Sequence, residues 1–440
     1  MAGLPGSPPA AQVTTGLRAG RDAAGAGAAG GAGAGQTGGM AACPPGLAGA
    51  IAGYARLLHG AAGAGRHHVA SPLAAWLLLA LAAPAVRAGR DDELTAALGC
   101  AAPEAAAAAS ALLASPHPLV AAAVAAWGRP RGGGREWLAR LPPEVETGDI
   151  PTQEAADAWA RRHTLGLIDS FPVGAGPGLA LLLASALAAK VSWDCPFEVA
   201  PASALGPASP WAARLTRVLR SPQHPAHAAF IAATPEAGDV AVHAGTARGG
   251  LMVVSVIADP GVRPGDVIAA AHRVALARAA GEPAGERPLS GLPPGDGPAW
   301  TVRDETSPQG PGERWVALLP AWSARSTLDL ARPGLGFAAV ARALGAGDPW
   351  RARQAVTARY DRVGFEAGAV TAMGVLLSMA GPRRGRLRTA ELRFGHPYAV
   401  VAVATGPGGT GRSRHAGPWH GLPVFSAWIT EPGDAEAAGR

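Results

Sequence analysis

The sequence predicts an α+β fold, because helical patterns come first along the chain and strand-like runs dominate its later part. Apolar residues recur at helical spacing over residues 47–58, whereas residues 251–258 and 424–429 are rich in β-branched and aromatic side chains. An alternating parallel architecture would interleave the two patterns throughout. Hydrophobic residues form 48% of the 440 positions, which allows a sizeable core built largely from alanine.

Four helices are predicted in the first part of the chain. The first covers residues 47–58. A second opens at Ser71 and Pro72, because serine is a favoured N-cap and proline suits the first helical position. A third covers residues 91–98. The fourth, over residues 155–168, is amphipathic and carries Trp159 on its apolar side.

Strands are predicted further along the chain, and a long loop interrupts them. The strand candidates are residues 179–185, 251–258, 315–319, 399–404 and 424–429. Residues 281–312 are rich in glycine and proline, which favours a long surface loop.

One domain is predicted over residues 45–432, between two disordered ends. Residues 1–44 are rich in glycine and alanine without a periodic apolar face, so they cannot bury enough surface to offset the entropy of ordering. Residues 433–440 are predicted to be a disordered end. No secretory signal opens the sequence, so the expected location is cytoplasmic.

Composition and motifs disfavour several classes of function. The formal charge of +6 comes from scattered arginine, so no nucleic-acid surface is expected, and no apolar run is long enough to predict a membrane span. The three cysteines, Cys43, Cys100 and Cys195, form no CxxC pair, which disfavours a disulfide framework or a zinc site.

Enzyme motifs are missing as well. GxSxG and HExxH do not occur, and no phosphate loop can form at Lys190 because Val191 follows it. We therefore expect no enzyme, metal or cofactor, although serine, histidine and aspartate side chains from distant segments could still meet in space.

Lys190 is the only lysine among 38 basic residues. Its retention suggests a position where a compact ammonium is preferred to a guanidinium. Trp193 and the Pro196-Phe197 pair follow it closely.

Four separated segments, in order, resemble the serpin family, the fold of the serine-protease inhibitors. Residues 47–58 with 69–73 are similar to its opening helices, and residues 157–168 to a later helix, with Asp157 in place of asparagine. Residues 185–197 resemble its Asn-Ala-x-x-x-Lys-Gly-x-Trp strand, with Ser185 for asparagine and Val191 for glycine. Residues 396–398 and 425–432 resemble its closing strands.

A fifth segment is similar to the reactive-loop hinge of that family. The hinge residues are Gly364, Phe365, Glu366, Ala367, Gly368, Ala369, Val370 and Thr371. A segment that slides between paired strands must bury alternate side chains in a narrow slot. The inward set would be Phe365, Ala367, Ala369, Thr371 and Met373. The outward set would be Glu366, Gly368 and Val370, which places the charge toward water.

The resemblance implies a serpin-like fold, with helices over three mixed or mainly antiparallel sheets and an exposed reactive loop over about residues 362–394. It implies a divergent, bacterial-type monomer that inhibits serine proteases: the protease cleaves the loop, is held as an acyl-enzyme, and the cut loop inserts as a strand. The family is often extracellular, which is the alternative location. The implied sheet-opening residues are Ser71, Ser185, Lys190, Trp193 and Gln354.

The scissile bond has two candidate positions. The usual distance from Gly364 places it at Ser378–Met379, after Leu377, which favours a chymotrypsin-, elastase- or subtilisin-like protease. If the extra loop length precedes the cut, Arg383 or Arg384 would suit a trypsin-like protease.

Departures from the hinge pattern support an alternative function. Phe365 replaces a small residue, and overpacking of that kind costs about 1–3 kcal/mol. Arg362 replaces a glutamate, and Gln354 replaces a histidine. The alternative is therefore a non-inhibitory serpin-like binding or scaffold protein whose hinge does not insert.

Overall fold

The structure, a computed structural model, describes residues 46–63, 65–86, 92–129, 133–171, 179–189, 192–308, 310–344, 350–364, 384–406 and 417–436. The helices in these ranges are α1 (Leu47–Ala62), α2 (Pro72–Ala82), α3 (Asp92–Leu98), α4 (Ala102–Ala114), α5 (Gly133–Arg140), α6 (Gln153–His163), α7 (Pro264–Ala279) and α8 (Phe337–Ala343).

The strands of the described chain, in order, are β1 (His68–Ala70), β2 (Val120–Gly128), β3 (Glu146–Gly148), β4 (Leu181–Ala189), β5 (Glu198–Pro201), β6 (Arg217–Arg220), β7 (His227–Thr234), β8 (Gly238–Ala247), β9 (Leu251–Ile257), β10 (Glu286–Arg287), β11 (Gly295–Asp296), β12 (Trp300–Ser307), β13 (Gly312–Leu319), β14 (Trp322–Asp329), β15 (Trp350–Tyr360), β16 (Gly385–Arg393), β17 (Tyr398–Ala404) and β18 (Pro423–Ile429).

These strands form three sheets. A seven-stranded sheet has the order β1-β18-β17-β9-β8-β7-β10, and a six-stranded sheet has the order β11-β12-β16-β13-β6-β5. The five-stranded sheet has the order β14-β15-β4-β2-β3. Helices and mixed sheets together confirm the α+β class.

The main core joins the five-stranded and seven-stranded sheets around α2. Every residue of α2 is buried, as expected for a helix that is apolar on all sides. Its N-cap Ser71 accepts a hydrogen bond from the amide of Ala74 at 3.1 Å, which confirms the predicted helix start.

Two helices cover the outer faces of these sheets. Helix α7 packs on the seven-stranded sheet, mainly through alanine and valine. Helix α6 packs on the five-stranded sheet, where Trp159 meets Trp127 and Phe171 edge to face at 5.1 and 5.3 Å between ring centroids.

Helix α6 ends earlier than the sequence pattern predicts. It stops at His163, because Leu165 and Gly166 take left-handed conformations with φ of 57° and 75°. The Gly166 amide then donates to Arg161 O, as in a helix C-terminal turn.

The prediction of a long loop over residues 281–312 is wrong, because this stretch contains β10, β11 and β12. Strand β12 pairs with β16 from Trp300 opposite Leu392 to Ser307 opposite Gly385. Partner strands decide whether such a polar, glycine-flanked segment becomes a strand, and local composition does not report them.

The chain end also differs from the expected boundary at residue 432. Ala435 is buried, and the Asp434 carboxylate accepts hydrogen bonds from the amides of Thr216 and Arg217 at 2.7 and 2.8 Å. Residues 433–436 therefore pack against the domain. The predicted tail, residues 1–44, lies outside the described residues.

One stretch, Asp92–Ala114, is long and apolar enough by composition alone to cross a membrane. In the fold it forms α3 and α4 with a break after Leu98, and both helices contact α2.

Candidate functional site

The seam between β4 and β15 is the first part of the candidate site. These strands run parallel, with Trp350 opposite Leu181 at one end and Val356 opposite Leu187 at the other. Their outer neighbours, β2 and β14, pair with them antiparallel. Parallel pairing is slightly less stable per residue than antiparallel pairing. A chain that turned back after β15 into the seam would replace one parallel ladder with two antiparallel ladders.

Small side chains occupy the centre of the seam. Ser185 lies opposite Gln354, and Ala186 lies opposite Ala355. Ala186 and Ala355 face α6, where they belong to the same buried cluster as Trp159. Because small side chains bury little apolar area, parting the strands here exposes little hydrophobic surface.

Gln354 ties β15 to the start of α2. Its amide nitrogen donates to Ser71 O at 2.8 Å, and its amide oxygen accepts from the Ser71 amide at 3.1 Å. The Ser71 hydroxyl donates to Val424 O at 2.8 Å, which adds β18 to the junction. The Ser185 hydroxyl, across the seam, has no hydrogen-bond partner among the described residues. The seam is thus held at its centre through α2, and the facing polar side chain contributes no cross-strand bond.

The second part of the site is the hinge anchor, which we define as residues 361–364 together with Trp193 and Phe197. Three successive carbonyl oxygens are held here. Trp193 donates from its indole to Asp361 O at 2.9 Å and from its amide to Val363 O at 3.2 Å. The Phe197 amide donates to Arg362 O at 2.9 Å.

Asp361 shapes the turn inside this anchor. Its carboxylate accepts from the amides of Val363 and Gly364 at 3.1 and 2.9 Å and pairs with Arg359 at 2.9 Å. Gly364 has φ of 121°, a conformation that side-chain-bearing residues rarely adopt, and it bridges Ser192. The anchor therefore fixes the point from which the chain leaves β15.

Aromatic rings fill the space beneath the anchor. Tyr360 lies 5.0 Å from Trp193, 5.7 Å from Phe197 and 5.7 Å from Trp322, between ring centroids, and it stacks on Trp322. Burial raises the pKa of the Tyr360 hydroxyl, so this group stays neutral. The rings give the upper end of the seam a rigid apolar support.

The third part of the site is β16, which follows the segment predicted to be the reactive loop. It is enclosed by β12 on one side and β13 on the other. Arg384 is exposed immediately before it, and Arg386 forms an ion pair with Asp304. At Gly385 there is no room for a Cβ, which would lie 2.2 Å from the Pro311 nitrogen.

The structure brings together several of the residues predicted from sequence. Ser71, Ser185 and Gln354 meet at the centre of the seam, and Trp193 and Gly364 meet at its upper end. Lys190 lies outside the described residues, as do the hinge residues 365–371 and the candidates Ser378, Met379 and Arg383. Their predicted roles remain predictions.

Sequence reasoning missed other parts of the site. The Asp-x-x-Gly spacing of Asp361 and Gly364 is a turn signal that could have located the anchor. His227 and His243, described below, come from neighbouring strands and carry no local signal. The pairing of β12 with β16 was hidden in the stretch predicted to be a loop.

Nucleophilic hydrolysis is the second chemistry to consider, because serine and histidine side chains meet at a buried place in the described structure. Ser426, His59 and His68 form a hydrogen-bonded series with distances of 2.6 Å at both links. However, Ser426 is only 1% exposed, so a substrate ester cannot reach its hydroxyl. Among the described residues, no three His, Cys, Asp or Glu side chains are grouped in a way that could hold a metal.

Comparison with known proteins identifies the architecture. No family model and no curated protein matches the sequence. The structure matches the thermophilic serpin tengpin in its native state with a TM-score of 0.57 and 12% identity, over 87% of this chain and 93% of that one. It also matches Serpin48 of the insect Tenebrio molitor with a TM-score of 0.54 and 14% identity, over 88% and 98%.

A third match is human thyroxine-binding globulin complexed with thyroxine, with a TM-score of 0.56 and 12% identity, over 88% of this chain and 98% of that one. The chain therefore has the serpin fold, as the sequence resemblance predicts. The structures named here are described as serpins or as a binding globulin, and none is described as an enzyme.

Proposed function

We propose that the protein inhibits serine proteases by cleavage of its loop, trapping of the acyl-enzyme and insertion of the cut loop into the seam. The observation that carries the proposal is the parallel seam itself, at whose upper end the anchored Gly364 begins the loop. A strand that enters from Gly364 runs antiparallel to β15 and to β4. It gains two ladders in exchange for one.

The anchor suggests a register for the inserted strand. A two-residue turn closed by Asp361 and Gly364 would place Phe365 opposite Tyr360, and Glu366 opposite Arg359. Phe365 would then join the aromatic rings beneath the anchor, which would offset the overpacking expected for it. Glu366 would meet an exposed arginine on the outward face.

The same register gives the centre of the seam a polar partner. Thr371 would lie opposite Gln354, beside the unpartnered hydroxyl of Ser185. Ala367 and Ala369 would lie opposite Ala358 and Val356, which are both buried. The inward residues of the hinge are therefore small where the core is tight, as an entering strand requires.

The chemistry of trapping follows from the cut. The protease serine attacks the scissile carbonyl, the peptide bond breaks, and the new amino terminus stays with β16 while the acyl group stays with the hinge side. Insertion carries the acyl-enzyme away from β16. Hydrolysis of the acyl-enzyme then requires water to attack in a protease active site from which the leaving amino terminus has been separated.

The position of β16 favours Ser378–Met379 over the arginines as the scissile bond. A protease binds its substrate as an extended segment on both sides of the cut. Residues after Arg384 are already paired, since Gly385 opposes Ser307. A cut after Arg383 or Arg384 would require β16 to leave its sheet. We therefore propose a chymotrypsin-, elastase- or subtilisin-like target and keep trypsin-like enzymes as the alternative.

The test is covalent complex formation. The protein is mixed with chymotrypsin, elastase, subtilisin and trypsin, and denaturing gels are run for a complex that resists denaturant. Two variants with the same added charge serve as a matched pair: Ala369→Arg on the inward face and Gly368→Arg on the outward face. We expect the wild type and Gly368→Arg to form complexes, and Ala369→Arg to be cleaved as a substrate.

The second candidate is a non-inhibitory binding protein. One matched fold is a thyroxine-binding globulin, and a groove of about 710 Å³ lies between β7 and β13, a size typical of ligand pockets. If all four proteases only nick the wild type, without a stable complex, this candidate replaces inhibition.

A further inference from the structure

A series of hydrogen-bonded side chains lies directly under the hinge anchor. His227 on β7 donates from Nε2 to Cys195 O at 2.6 Å, and its Nδ1 lies 3.1 Å from His243 Nε2 on β8. His243 Nδ1 lies 3.4 Å from the hydroxyl of Tyr360, the last residue of β15. We call this series the histidine relay; it joins the segment after Trp193 to the strand that leads into the loop.

The partners of the relay fix where its protons lie. The Cys195 carbonyl can only accept, so His227 Nε2 carries a proton and His227 Nδ1 accepts from His243 Nε2–H. His243 Nδ1 then accepts from the Tyr360 hydroxyl. Every ring nitrogen is used while both rings are neutral. An added proton has no free lone pair and must break or reverse a link of the relay.

The surroundings favour the neutral rings. Burial lowers the pKa of His243 well below its ordinary value, and His227 adds to that effect. Burial also lowers the pKa of His227; His224 adds to the shift, while the bond to Cys195 and the carboxylate of Asp194 oppose it.

The remaining groups around the relay are rings and neutral hydroxyls; Ser255 on β9 lies opposite His243, and its buried hydroxyl acts on that of Tyr360. The Phe197 ring lies 4.6 Å from His227 and 5.2 Å from His243, between ring centroids. Just beyond the end of β15, Asp361 is already paired with Arg359. No carboxylate on β8 or β15 is therefore placed to neutralise a charged His243 within the described residues.

Protons can nevertheless reach the relay without unfolding. His227 is only half-buried and lines the groove of about 710 Å³ between β7 and β13. The relay therefore has one end at solvent and the other at the hinge anchor.

We propose that the histidine relay is a proton-sensitive latch, which holds the end of β15 in the anchor near neutral pH and releases it below about pH 6.5. Its consequence for inhibition rests on the proposed function: acid would ease the entry of the loop into the seam. The latch itself is a property of the uncut protein.

The direction of the pH effect follows from the linkage between proton binding and opening of the anchor. The anchored state disfavours the charged rings, whereas an opened anchor lets them take protons at their ordinary value. The opened state therefore binds more protons, and its population rises as the pH falls below about 6.5, by at most about tenfold per pH unit for each histidine.

The test is hydrogen exchange on the uncut protein. The amides of Trp193, Phe197 and Gly364 report the anchor, and their opening is compared at pH 7.5 and pH 5.5 after correction for intrinsic exchange. We expect opening to rise by about tenfold in acid in the wild type. His243→Gln, which keeps a donor and an acceptor but does not titrate, is expected to remove most of that rise.

Two further variants separate the latch from general acid sensitivity. Tyr360→Phe cuts the relay from the anchor while both histidines remain, so we expect the acid response of the anchor to be lost. His59→Gln changes the other buried histidine pair, between α1 and β1, and should leave the anchor response intact. An anchor that opens equally at both pH values in the wild type overturns the proposal, as does a full response in both relay variants.

The outcome is independent of the inhibitor assay. Complex formation at pH 7.5 without an acid response of the anchor would refute the latch alone. An acid response without any complex would refute inhibition and leave the latch in place.

Discussion

The two strands that flank the proposed reactive loop are held in opposite ways. Strand β15, which leads into the loop, meets β4 in a parallel ladder with small side chains at its centre. Strand β16, which leads out, is enclosed by β12 and β13, and its first residue Gly385 has no room for a side chain. The ladder between β15 and β4 can therefore open, whereas β16 stays paired in its sheet.

This difference predicts that the proposed insertion needs a cut. Residues 365–384 connect the two strands, and β15 is 11 residues long, roughly 36 Å when extended. If 11 of the 20 connecting residues filled the seam, the other nine would reach back only about 30 Å. The uncut loop therefore cannot fill the seam unless β16 gives up residues, and two ladders oppose that.

The largest expected effect comes from cutting the loop. A single clip between Thr371 and Arg384 should raise the unfolding temperature by about 10 °C or more, because two new ladders replace one. Thermal unfolding of intact and clipped protein measures it. Hydrogen exchange should slow along β15 and stay unchanged along β16.

An unchanged unfolding temperature after the clip would contradict the claim that the seam between β15 and β4 admits a strand. Faster exchange along β16 would contradict the claim that β16 stays in its sheet. Ala369→Arg is the control, since its clipped form should gain no heat resistance.

The second effect concerns the bond that holds β15 to the core. Gln354→Ala leaves the buried amide of Ser71 without a partner, at about 1–3 kcal/mol, whereas the Ser71 carbonyl still accepts from the Ala75 amide. We expect the uncut protein to lose about 1–3 kcal/mol of unfolding free energy, measured in urea. Gln354→Asn keeps the amide group on a side chain shorter by one methylene, so it tests whether the length of the side chain or its amide group matters. A loss below about 1 kcal/mol would show that Gln354 does not hold the seam.

Sequence predicted the parts of this site that have a local or family pattern. The Ser71 cap and the four-segment resemblance located α2, Ser185 and Trp193, because each lies in a short recognisable motif. Residues 281–312 show the limit: their composition predicts a loop, and only the partner strand β16 makes residues 300–307 a strand. The relay of His227 and His243 likewise depends on strand pairing that no local pattern reports.

The third effect concerns the turn at Gly364. Replacing it by alanine forces a side chain into φ of 121°, which costs about 1–2 kcal/mol. Gly238→Ala is the matched control, because Gly238 also has positive φ, 68°, and open space around it, but lies in the β7–β8 hairpin. Both variants should lose similar stability. Only Gly364→Ala should speed exchange at Trp193 and Phe197, and equal exchange in the two variants would contradict the anchor.

The smallest expected effect is a gain in the stability of the uncut protein, opposite in sign to the losses above. Ser185→Ala removes a buried hydroxyl that has no partner in the described structure, and alanine keeps most of its shape. We expect the uncut protein to gain up to about 1 kcal/mol, since a desolvated polar group is lost without a hydrogen bond. The clipped protein should instead lose stability, because Thr371 is proposed to meet this hydroxyl after insertion. Urea unfolding of both forms measures the two signs, and a variant that shifts both forms equally would place Ser185 outside the path of the inserted strand.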